Sequence, residues 1–354
     1  MDFGYFTLSD NRYPNNDRTP ERFLHEIYEQ ALYADELGFH SAWIGEHHFN
    51  LLGINPSPHV LLAQLAGATK RIRLAPAVVL LPVHHPLHVA EEWATLDQLS
   101  GGRVDFAAGR GYDAKEYAPF GVAFDESAEI FEEALQVVWR AWTEPGPFSH
   151  HGKYYRFEDL DVRPKPKQQP LRPFVASFSR LSMEIAAKND WNIIYAPFAA
   201  TMVYGSLAKG VAAYRERCEQ EGNAPRRSSC SYFIHIADNP RQERFGREAL
   251  IDYFRCLVPS FPSDPSKAPR NLRYFVDIVE RLQKATPEGL DSNSILLGSP
   301  AKIAAQLQTV ERSGIGEVIL YFNFGRKPHA MVKEQMHRFA EEVVPAFAPA
   351  LTGR

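Results

Sequence analysis

Cysteine is scarce in this chain: Cys218, Cys230 and Cys256 are odd in number, far apart and without a CxxC pair. That leaves no disulfide framework to read and is the usage of a reducing compartment, so a cytoplasmic location is expected. Basic residues are not in excess either. The 39 Lys and Arg stand against 43 Asp and Glu, for a formal charge of −4 and a pI near 6.4, which argues against nucleic acid as the main partner. No apolar run is long enough to span a bilayer. The opening MDFGYFTLSD starts as strand rather than as a signal peptide. What is present is a 354-residue chain with 45% apolar and 23% charged residues, enough for one α/β barrel or two ordinary domains with a solvated surface.

The chain is organised around residues 69–125. Ile72 to Leu81 is a short apolar run rich in valine and leucine and bounded by Pro82, which fits a strand buried on both faces. Val89, Trp93, Leu96 and Leu99 then share one side of a helix stopped by Gly101-Gly102. A second apolar strand, Arg103 to Ala108, ends on Gly109-Arg110-Gly111. This βαβ unit delivers a cation at the carboxyl end of a strand, where ligands bind in sheets and barrels of this kind. Further strands are expected at Phe3–Leu8, Ser41–Ile44, Phe174–Ser177, Asn192–Ala196, Cys230–Ala237 and Gly316–Phe322, alternating with helices. Eight strands without a linker or second core predict a single α/β domain over 1–354, a (β/α)8 TIM barrel. Residues 153–173, proline-rich and basic, read as a surface excursion with a small hairpin. Residues 256–293 read as an uneven, proline-rich insertion between the last two strands, a candidate mobile lid.

Several short motifs recur at fixed spacing: Glu46-His47-His48-Phe49, Leu81-Pro82 with His85-Pro86, and Leu96-Asp97-Gln98-Leu99-Ser100-Gly101-Gly102-Arg103. Gly109-Arg110-Gly111, Phe120-Gly121 and Gly298-Ser299-Pro300 follow in order. In this arrangement the chain resembles the bacterial luciferase-like, flavin-dependent monooxygenases, closest in pattern to the bacterial luciferase α subunit. The resemblance implies a barrel that takes reduced FMN from a separate flavin reductase. It also implies O2 as co-substrate, a C4a-peroxyflavin, and oxygenation of a small hydrophobic organic substrate, with a homodimer as the default assembly. A deazaflavin F420-dependent oxidoreductase of the same superfamily and a non-catalytic flavin-binding partner subunit are the alternatives. The chain departs from the α-subunit pattern at Gly109 (a reactive cysteine there), at Phe178 (a glutamate) and at Ala128, where an arginine is common in the family.

Residue by residue, a flavin phosphate of roughly −2 charge needs a cation and hydroxyl or backbone donors. Arg110 is the cation, and Ser179 and Ser182 begin a helix after the fifth strand; by resemblance they are the phosphate contacts. Gly109 serves either close ligand approach or a turn. The resemblance also implies a non-prolyl cis peptide against the flavin ring, which falls at Ala77–Val78. His47, at the end of the second strand, is the expected catalytic histidine, with Glu46 orienting it or pairing with Arg110. Phe6, Trp43, Phe49, Tyr112 and Phe322, near strand ends, are candidates to line an apolar substrate cavity. No metal is expected, because adjacent histidines point to opposite sides and no carboxylate cluster or HExxH completes a ligand set.

Overall fold

The computed structural model describes residues 1–49, 53–260, 273–290 and 295–347. Its first half runs β1 (Asp2–Thr7), α1 (Pro20–Glu36), β2 (Ser41–Ile44), α2 (Pro58–Ala68), β3 (Arg73–Pro76), β4 (Val79–Leu80), α3 (Pro86–Leu99), β5 (Ala107–Gly109) and α4 (Ser127–Thr143). A hairpin follows, β6 (Phe148–His151) with β7 (Arg156–Leu160), and then β8 (Phe174–Ser177), α5 (Arg180–Lys188), β9 (Asn192–Tyr195), α6 (Pro197–Tyr204) and α7 (Leu207–Gln220). The last part comprises β10 (Ser228–Ile236), α8 (Pro240–Leu257), α9 (Arg273–Lys284), β11 (Ile295–Gly298), α10 (Pro300–Arg312), β12 (Glu317–Tyr321) and α11 (His329–Arg338).

The strands pair in the order β3-β2-β1-β12-β10-β9-β8-β5-β4, every pairing parallel, with β11 alongside the far end of β10. The two ends of this path, β3 and β4, are consecutive pieces of one run broken at Ala77–Val78. A parallel bridge from Leu74 to Val104 completes the ring. The sheet is therefore nearly closed into a barrel with helices outside it, as the strand count predicts. Period-two alternation explains why these runs are apolar throughout. On β12, Val318 and Leu320 pack outward with the helices, whereas Ile319 and Tyr321 pack inward. On β2, Ala42 and Ile44 face out and Trp43 faces in.

Helix ends follow from composition. Thr19 caps α1, its hydroxyl accepting from Arg22 N at 3.2 Å, with Pro20 in the first turn. Gly38, at φ +81°, turns the chain into β2. Four elements were not anticipated: β11, α6, α8 and α9. Proline at the first position of α6 and of α8, and Asn239 capping α8 through Gln242 N at 3.1 Å, are the local signals for those two helices. The excursion at 153–173 does carry a hairpin, but it begins earlier, at Phe148. Of the expected lid, 256–260 continue α8 and its closing turn, and 273–290 hold α9 and a short turn. Residues 261–272 and 291–293 of that expectation lie outside the described residues.

Candidate active site

One cavity of about 610 Å³ opens at the carboxyl ends of the strands, a size typical of small-molecule sites. All the residues singled out above line it except Trp43, Phe49 and Phe322: Glu46 and His47 after β2, Ala77 and Val78 at the break, Gly109 and Arg110 at the end of β5, Tyr112, Ser179 and Ser182 at the start of α5, and Phe6 on β1. The three exceptions have separate reasons. Trp43 is fully buried one layer deeper, edge-on to Phe174 at 5.4 Å, with its Nε1–H donated to Ser41 Oγ at 2.8 Å. Phe322 follows the inward Tyr321, so parity turns it outward against Phe39 and Phe339. Phe49, 66% exposed, packs on Phe120 outside the cavity.

Strand pairing assembles the phosphate end. β5 and β8 are neighbours in register Ala107–Phe174 and Ala108–Val175, so the residues that leave their carboxyl ends, Arg110 and Ser179, arrive at the same rim. Ser179 caps α5, accepting from Ser182 N at 3.3 Å, and the two hydroxyls lie 3.0 Å apart. The helix N-terminus adds oriented N–H dipoles to those hydroxyls. Arg110 is half-buried and forms no ion pair with any described residue. A guanidinium left without a carboxylate, beside two hydroxyls and a helix start, has the donors that a phosphate requires.

The Ala77–Val78 peptide is cis, at the break between β3 and β4. Gly109 lies across from it, and a Cβ there would come within 2.4 Å of Val78 Cγ2. Close strand-to-strand contact thus accounts for glycine at 109, while Gly111, at φ +76°, serves the turn. Ala77, Val78 and Gly109 line the cavity with little side-chain bulk, as a planar ring requires.

The histidines divide as adjacent residues on extended chain do. His47 lines the cavity, its ring 6.0 Å from Tyr112, and its Nδ1 lies 3.1 Å from Glu116 Oε1. His48 turns away from it. Glu46 neither orients His47 nor pairs with Arg110, contrary to expectation: its Oε1 accepts from His48 Nε2 at 2.8 Å and His84 Nε2 at 2.5 Å. Burial raises the pKa of Glu46, but the bonds from His48 and His84 outweigh it and hold the carboxyl below its usual range. Burial lowers that of His84, and the same carboxylate more than compensates, leaving the imidazole above its usual value.

Glu46, His48 and His84 place three donor atoms within 4.8 Å of one another, so a carboxylate does complete a ligand-like set that the linear sequence concealed. Tetrahedral zinc with bonds near 2.0–2.1 Å keeps its ligands roughly 3.3 Å apart. The 2.5 and 2.8 Å separations here are those of hydrogen bonds, and the set acts as a bonded triad bracing the loop after β2. Glu116 and His84 are the polar residues that sequence reasoning passed over. His84 was one of several histidines for which no metal was expected, and Glu116 had no signal at all. The apolar wall also includes Phe233 and Tyr321, stacked at 5.3 Å, with Tyr253 and Phe254 from the unanticipated α8.

Known proteins share the fold that holds this site. The model of the family described as luciferase-like monooxygenase matches residues 1–317. The oxygenase component of a flavin-dependent trigonelline monooxygenase from Acinetobacter baylyi is 25% identical over 348 residues, covering 96% of this chain and 94% of that protein. The crystal structure of the monooxygenase RslO1 from Streptomyces bottropensis superposes with a TM-score of 0.82 at 27% identity, covering 98% of this chain and 100% of that one. An F420-dependent secondary alcohol dehydrogenase shares the fold, with a TM-score of 0.73 at 18% identity and coverage of 99% of each chain. With a family model spanning most of its length, the chain belongs to the luciferase-like monooxygenases.

Proposed function

We propose that this chain is the oxygenase of a two-component system, taking reduced FMN from a separate flavin reductase and using O2 to oxygenate a small hydrophobic organic substrate. The observation that carries the reading is Arg110: a cation without an acidic partner among the described residues, at the rim of an apolar cavity that also holds His47. Arg110, Ser179 and Ser182 would hold the phosphate, and Ala77, Val78 and Gly109 would support the ring. When bound, the reduced flavin supplies the two electrons that activate dioxygen. Phe6, Tyr112, Phe233, Tyr253 and Tyr321 keep water from the reacting atoms, and His47 takes or returns a proton. Likeness to the Acinetobacter relative, an oxygenase component, supports a separate reductase.

Stopped-flow absorbance after mixing the protein with reduced FMN and oxygen tests this reading. A transient species distinct from oxidised FMN, lasting seconds or longer and shortened when substrate is added, is the expected result. Immediate appearance of oxidised FMN, together with hydride transfer to F420 without oxygen uptake, would replace oxygenation by deazaflavin chemistry.

A further inference from the structure

His47 is held from behind by a residue 69 positions away. Glu116 ends the short turn Ala114–Glu116 after β5, which is closed by Asp113, whose Oδ1 accepts from Lys115 N at 3.0 Å and whose carbonyl accepts from Glu116 N at 3.1 Å. The carboxylate is 1% exposed. Its Oε1 accepts the backbone N–H of His48 at 2.8 Å and lies 3.1 Å from His47 Nδ1. A carboxylate oxygen with this geometry only accepts, so Nδ1 carries the proton, and in neutral imidazole the other nitrogen is then the acceptor. Among the described residues, the groups around the ring leave that assignment standing. Tyr112 meets His47 edge-on, Asp113 adds negative charge from the same turn, and Glu46 is engaged by His48 and His84.

We propose that Glu116 is a positioning residue: it fixes His47 with its proton on Nδ1, so that Nε2 enters the cavity chemistry as a proton acceptor. In that step an O–H or N–H bond of the molecule in the cavity breaks and Nε2–H forms. The positive charge gained by the ring faces the Glu116 carboxylate, and reversal returns the proton. The catalytic consequence rests on the oxygenase reading; the tautomer does not.

The test uses ¹⁵N-histidine NMR of the flavin-free protein, with the His47 signals assigned by their loss in His47→Gln. Wild type should show Nδ1 protonated and Nε2 bare of hydrogen. Glu116→Gln, whose amide oxygen can accept the same two N–H groups, should keep that tautomer and stay within roughly 10-fold of wild-type kcat. Glu116→Ala should lose the preference and on the order of 10²-fold in kcat, the low end for general acid–base catalysis, with flavin affinity unchanged. An Nε2–H tautomer in the wild-type protein overturns the proposal, whatever the variants do. So does a Glu116→Ala protein that loses the tautomer but keeps kcat within twofold. If the alanine variant does not fold, wild type and Glu116→Gln decide by the same spectra. Absence of oxygenase turnover in wild type, with the Nδ1–H tautomer present, would count against the oxygenase reading and leave the role of Glu116 in holding the ring.

Discussion

The two ends of the barrel interior are built from similar residues and treat them oppositely. At the amino ends of the strands, Glu317 on β12 is fully buried, accepts from Ser41 and from Ser229 at 3.4 Å, and forms an ion pair with Arg227, whose guanidinium lies 3.5 Å away and also meets Asp2 at 2.6 Å. Trp43 sits above it as a floor, and Arg73 is bound to Asp105 at 2.6 Å. Charges at this end are matched within the chain. At the carboxyl ends, Arg110 has no carboxylate among the described residues, and the Ser179 and Ser182 hydroxyls meet chiefly one another. Folding leaves Arg110 short of an anion. The contrast separates polar groups that hold the barrel together from polar groups that await a ligand, and exposure alone would not have made the distinction.

The sharpest way to break the contrast is Glu317→Ala. Removing one partner of a buried, bonded charge typically costs about 3–5 kcal/mol, so a large fall in the urea midpoint is expected while FMN affinity, by fluorescence quenching, stays put. Weaker flavin binding with little lost stability would mean that the amino end is not merely structural.

Asp10 gives the next effect. It follows β1 at the carboxyl end, fully buried, accepting from Tyr13, Tyr321 and Gly325 N. Burial raises its pKa from 3.8 to about 6, against the lowering effect of Tyr13 and Tyr321. A carboxyl raised in the folded state contributes stability that is fully present below pH 3.8 and is lost as pH rises through 6. Two pH-equivalents correspond to about 3 kcal/mol. Relative to Asp10→Asn, wild type should therefore lose about that much between pH 4 and pH 8 in denaturation curves. A pH-independent difference would refute the assignment.

Arg110→Ala should weaken FMN binding on the order of 10²-fold, as expected for a lost charge-assisted pair, with the melting temperature unchanged or raised. A drop in stability would place Arg110 with the matched charges of the floor. Ser179→Ala is the mildest: loss of a helix cap costs about 1 kcal/mol, and flavin affinity should fall severalfold. Equal affinity would assign the serine to capping alone.

Much of this was legible because it is local. Apolar runs of strand length, a glycine stop and a serine cap depend on neighbours a few residues away, which is why the staves and the Arg110 and Ser179 positions could be read directly. Parity along β12 could have excluded Phe322 as well, since Tyr321 and Phe322 must face opposite sides. Nothing local distinguishes the aromatic that floors a barrel from one that walls its cavity, however, and Trp43 went astray for that reason. The function of Glu46 failed differently: its adjacency to His47 in the chain suggested partnership, while extended backbone sends neighbouring side chains apart.

The linear order of residues settled the alternation of strand and helix, the all-round burial of the staves and the delivery of a cation to a strand's carboxyl end, because each follows from periodicity and backbone chemistry over short distances. Ring closure decided who meets whom: Glu116 behind His47, Glu46 between two imidazoles, Glu317 beneath Trp43. Those encounters depend on how eight staves register around a common axis, a property that no single stretch of the chain carries.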